Sequence, residues 1–68
     1  MKQYFVNKVA ADNGDHEVHE ESCMNPPSEA KRHYLGSFSN CREAVAKAKE
    51  IYETTNGCFH CCRECHTT

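Results

Sequence analysis

The first hydrophobic run, residues 3–9 (Gln3-Tyr4-Phe5-Val6-Asn7-Lys8-Val9), is rich in β-formers and predicts a strand. Residues 10–15 contain Asn13-Gly14, a pair that readily supplies positive φ at both central positions of a hairpin turn. Polar and apolar positions then alternate around Val18, which predicts a short second strand over residues 16–20. Such a hairpin carries His19 at its end and delivers Cys23 just beyond it. Asn25-Pro26-Pro27-Ser28 breaks the pattern, because proline neither donates to a ladder nor continues a helix. Residues 31–36, with His33-Tyr34-Leu35, predict a third strand closed by Gly36-Ser37.

The pattern changes to a helical period after Asn40. Ala44, Val45, Ala48, Ile51 and Tyr52 form one apolar stripe, while Arg42, Lys47, Lys49, Glu50 and Glu53 face the other way. Asn40 is a good N-cap and Glu43 stands in the capping-box position. The predicted helix covers residues 41–54 and stops at Asn56-Gly57. These elements imply one α+β domain over residues 1–68: a small antiparallel sheet of about three strands and one main helix.

Size makes such a domain marginal. With 68 residues, 38% of them hydrophobic, the core is thin, and a single core of this size rarely supplies more than about 3–5 kcal/mol. There is no tryptophan, so Tyr4, Phe5, Tyr34, Phe38, Tyr52 and Phe59 are the expected bulk of the core. Six cysteines and five histidines can supply a staple, either disulfides or a metal. The N-terminal residues hold no apolar run long enough for a signal peptide or a membrane span. With Met1 at the start, this predicts a cytoplasmic protein with reduced thiols, and zinc ahead of disulfides. The net charge of −2 argues mildly against nucleic acid, whose phosphates call for a basic face.

The soft ligands fall into two groups. His19-x3-Cys23 is one; Cys58, Cys61, Cys62 and Cys65 form the other. Zinc takes four nitrogen or sulfur ligands in a tetrahedron, commonly as two close pairs. The second group contains two overlapping pairs of equal spacing, Cys58-x2-Cys61 and Cys62-x2-Cys65. Their spacing does not choose between them.

A resemblance does. The Tyr-Phe-Val-Asn-Lys strand, His19-x3-Cys23, the prolyl loop, Tyr34-Leu35-Gly36-x-Phe38, the helix with Glu43-Ala44, and Phe59-x2-Cys62-x2-Cys65 occur in that order. In this the chain resembles the small zinc modules related to the metal-binding domain of the Ada methyl-phosphotriester repair protein. Aligning Phe59 with the aromatic before the closing pair implies the ligand set His19, Cys23, Cys62 and Cys65. A set using Cys58 or Cys61 instead is the alternative. The family's methyl-accepting cysteine falls on His19, and imidazole cannot replace that sulfur nucleophile, so repair activity does not carry over.

Other residues have plainer readings. Cys41 is expected to be a small, partly buried apolar residue, and His16, His33, His60 and His66 to be solvated. The acidic run from Asp15 to Glu21 lacks the calcium-loop spacing and reads as a solvated face. No catalytic triad, phosphate-binding glycine loop or hydrolytic His-Glu helix motif is present. The expected function is a non-catalytic structural zinc module, an interaction domain with a protein or nucleic-acid partner and no membrane. A thiol-based redox or metal sensor is one alternative. A nucleic-acid module, with Lys31, Arg32, Arg42 and Lys47 on one face, is the other.

Overall fold

A computed structural model describes residues 1–23, 29–59 and 61–66. The loop Asn25-Pro26-Pro27-Ser28 and His60 lie outside the described residues. Four strands, β1 (Lys2–Asn7), β2 (His16–Glu20), β3 (Arg32–Phe38) and β4 (Thr55–Gly57), form one sheet in the order β3-β1-β2-β4. β1 pairs antiparallel with β2 and β3, whereas β4 lies parallel to β2. The α+β class holds; the sheet is mixed and has one strand more than the pattern predicts.

The first hairpin forms as the sequence implies, except that of the turn pair only Gly14, and not Asn13, takes positive φ. Tyr4 opposes Glu20, Phe5 opposes His19 and Val6 opposes Val18. Gly14 adopts φ 90° in the turn, donates to Ala11 O (2.8 Å), and Asn13 Oδ1 accepts from the Asp15 N–H (2.9 Å). Alternation sends Tyr4, Val6 and Val18 to one side of the sheet and Phe5 and His19 to the other. Between β1 and β3 the register shifts at Tyr4/Phe5, which leaves Leu35 as an extra residue in a bulge.

The helix α1 (Cys41–Ala48) starts where its cap dictates: Asn40 Oδ1 accepts from Glu43 N (3.1 Å), and Glu43 Oε1 accepts from Ser39 N (3.0 Å). It ends well before residue 54. Glu50 N bonds Lys47 O (3.1 Å) and Ile51 N bonds Ala48 O (2.9 Å), so the chain tightens into a final turn and leaves the axis. Ile51 is then 41% exposed and leaves the expected stripe, whereas Ala44 and Ala48 are fully buried and Val45 and Tyr52 pack partly buried against the core. The chain continues into β4, whose ladder to β2 replaces the helical bonds: His16 N donates to Thr54 O (3.0 Å) and Cys58 N to Val18 O (2.9 Å).

The core is also smaller in aromatic content than expected. Tyr4 is buried, but Tyr34 is 53% and Phe59 51% exposed. Val6, Val18, Leu35, Ala44 and Ala48 fill the space with Cys23, Cys41, Cys58 and Cys62. Cysteine here acts as a compact hydrophobe. Cys41 and Cys65 are joined in a disulfide, with Cα atoms 6.4 Å apart and a sequence separation of 24. The expectations of fully reduced thiols and of an unbonded Cys41 are thereby corrected. His16 is half-buried and stacked on Tyr52 at 3.9 Å rather than solvated.

Candidate metal centre

Three local features bring four ligand atoms together. His19 lies near the end of β2, and Glu20 O accepts from Cys23 N (3.0 Å), so a tight turn folds Cys23 back towards the imidazole. The parallel register pairs Val18 with Gly57, which puts the next residue of each strand, His19 and Cys58, side by side. Cys62 N then bonds Cys58 O (2.8 Å), closing the turn that carries Cys61. The result is a cluster of His19, Cys23, Cys58 and Cys61 whose ligand atoms all lie within 4.8 Å of one another.

The distances suit a metal better than they suit bonds among the side chains. His19 Nδ1 is 3.4 Å from Cys23 Sγ and 3.9 Å from Cys61 Sγ, and Cys23 Sγ is 3.9 Å from Cys58 Sγ. Metal–sulfur and metal–nitrogen bonds of about 2.3 and 2.05 Å, set tetrahedrally, give edges of about 3.8 Å between sulfurs and about 3.6 Å between nitrogen and sulfur. These three separations lie within about 0.3 Å of those edges. They are also far too long for a disulfide, whose sulfurs sit at about 2.05 Å.

The surroundings complete the arrangement. His19, Cys23 and Cys58 are buried and Cys61 is half-buried. His19 turns Nδ1 to the sulfurs. Its Nε2 is buried with no hydrogen-bond partner among the described residues, and Glu17 Oε1 is 3.7 Å from it. A ligating histidine commonly gives its second nitrogen a carboxylate partner; Glu17 stands near Nε2 but beyond hydrogen-bond reach. Burial lowers the His19 pKa, outweighing the opposing pull of Glu17, so the ring is neutral and its lone pair is free to bind. The Glu20 N–H donates to Cys61 Sγ (3.4 Å), a bond that favours a thiolate. Burial, joined by the hydrogen bond to Cys23, nevertheless pushes the Cys61 thiol well above its ordinary range. A cation at the centre reverses that balance by pairing with the thiolates.

Of the ligands implied by resemblance, His19 and Cys23 lie in the cluster. Cys62 and Cys65 do not, and Cys58 and Cys61 take their places. Of the adjacent pair Cys61-Cys62, only Cys61 belongs to the cluster. Cys62 turns into the core, 1% exposed, where burial raises its thiol pKa to about 11. Cys65, in the 3-10 turn Arg63–Cys65, is committed to Cys41. The equal spacing of the two pairs held no signal that could have separated them.

The remaining candidates are dispersed. His66 Nδ1 meets Gly57 O (3.0 Å) and its ring packs edge-on to Phe59, while His33 is exposed. Arg32 lies over Phe5, 4.2 Å from its centroid, on the side of the sheet away from α1, whereas Arg42 and Lys47 belong to α1. The four basic residues therefore do not share a face. Among the described residues no helix is long and apolar enough to cross a membrane. No family model, no curated protein and no solved structure matches the chain.

Proposed function

We propose that the protein is a non-catalytic structural zinc module in which His19 Nδ1, Cys23, Cys58 and Cys61 hold one Zn2+. The carrying observation is that four ligand atoms from three separate parts of the chain lie within 4.8 Å of one another, three of their separations being 3.4 to 3.9 Å, close to the edges of a zinc tetrahedron. Three thiolates and an imidazole are soft and borderline donors that suit zinc over calcium or magnesium. Four protein ligands also leave no open position for a catalytic water. The ion would tie β2, β4 and the C-terminal turn together, so much of the folding free energy is metal-binding free energy. The domain then serves as a rigid interaction module.

Native mass spectrometry of the purified chain, with the same sample then denatured, tests this. One zinc per chain, lost on denaturation, is the expected result. A chain that stays folded and metal-free with zinc supplied overturns it. A second reading, a thiol-based sensor, is favoured by the half-burial of Cys61 among otherwise buried ligands, which gives an oxidant a route to sulfur. Reversible loss of zinc on mild peroxide treatment distinguishes a sensor from a purely structural site.

A further inference from the structure

A second sulfur centre lies beside an open groove. The groove, about 340 Å³ in volume, is lined by Arg42, Val45, Ala46, Lys49, Glu64 and Cys65. The four α1 and post-helix residues stand at i, i+3, i+4 and i+7, one stripe along the helix surface. Val45 and Ala46 provide an apolar floor, with an exposed cation at each end. Neither Arg42 nor Lys49 is in an ion pair with a described residue, and Glu64 is the single carboxylate of the lining. The groove therefore carries a net positive charge. At one side is the Cys41–Cys65 disulfide, of which Cys41 is 4% exposed and Cys65 is half-buried and lines the groove.

We propose that this groove admits small carboxylate-bearing thiols and that Cys65 is a thiol–disulfide exchange site for them. The incoming thiolate attacks Cys65 Sγ, since Cys65 lines the groove and Cys41 does not. A bond forms between the ligand sulfur and Cys65, and the Cys41–Cys65 bond breaks with its electron pair leaving on Cys41. Cys41 departs from the first turn of α1, where the peptide dipoles favour a developing thiolate. The proton given up by the incoming thiol returns to Cys41 Sγ, which stands 3.6 Å from Glu64 Oε1 and can then donate to it. One disulfide is exchanged for another, with no outside oxidant. Arg42 and Lys49 attract the ligand's carboxylate. The site shares no ligand with the His19 cluster, so it stands or falls independently of zinc.

The test exposes the full-length chain, disulfide intact, to 3-mercaptopropionate, 2-mercaptoethanol and cysteamine at matched thiolate concentrations and low salt. Quenched samples are alkylated and peptide-mapped. The expected result is a mixed disulfide on Cys65 with Cys41 alkylated. The carboxylate-bearing thiol should react about three- to tenfold faster than the neutral one, and the cationic thiol slowest, as two surface cations at close range imply. Arg42→Gln/Lys49→Gln should abolish the order, slowing the doubly charged carboxylate thiol more than 2-mercaptoethanol, whose thiolate carries one charge, and an unchanged circular dichroism spectrum shows that the variant is folded. An adduct on Cys41, equal rates for all three thiols, or an order that survives in the double variant overturns the proposal.

Discussion

Replacing Cys58 and Cys62 one at a time separates a ligand from a core residue. Structural zinc in small domains contributes about 10–16 kcal/mol, or roughly 2.5–4 kcal/mol per ligand when shared over four. Cys58→Ser should therefore weaken zinc binding about a hundred- to thousandfold. Unfolding entropy of about 2.1 cal/mol/K per residue, over 68 residues, makes 3 kcal/mol equivalent to a fall of about 20 °C in Tm. Cys62 is fully buried but outside the cluster, so Cys62→Ala should cost about 1–2 kcal/mol in packing and leave affinity within about threefold. Cobalt substitution gives the assay, because tetrahedral thiolate ligation produces intense charge-transfer bands, and competition with a chromogenic chelator gives Kd. The reasoning fails if Cys62→Ala loses the cobalt spectrum while Cys58→Ser keeps it.

The same geometry sets three further outcomes. A Cβ on Gly57 would lie 2.7 Å from both Cys62 O and Cys65 Cβ; Gly57→Ala should thus destabilise by about 2–3 kcal/mol and broaden the cobalt spectrum, read by thermal melting and absorption. Cys41→Ala/Cys65→Ala removes a cross-link with a sequence separation of 24; urea unfolding should show a loss of about 3 kcal/mol, with zinc affinity reduced less than about tenfold because neither residue is a ligand. Zinc affinity should rise with pH through the neutral range, since Cys61 is held protonated by burial and must release its proton, whereas His19, held low, is already neutral. Calorimetry in buffers of different ionisation enthalpy should read at least about one proton released, and uptake of protons would contradict the assignment.

Local chemistry in the chain determined a good part of this protein. The β-rich run around Tyr4 and Val6, the Asn13-Gly14 turn and the alternation about Val18 specified the first hairpin, because each acts over a few residues. Asn40 and Glu43 specified where α1 begins for the same reason, through hydrogen bonds three and four residues long. His19 and Cys23 were legible as half a site, since four residues of separation let a strand end and its turn share one ion.

Tertiary structure alone decided the rest. Thr55-Asn56-Gly57 carries no apolar period; it is a strand only because β2 offers it a parallel edge, and that pairing cut the helix short. The overlapping cysteine pairs have identical spacing, so nothing local ranks them. Which of them join the cluster with His19 and Cys23 was decided by partners distant in sequence: His19 set beside Cys58 by the β2–β4 register, Cys62 drawn into the core, and Cys65 bound to Cys41. Spacing states which side chains can share an ion, but only packing states which way each of them points.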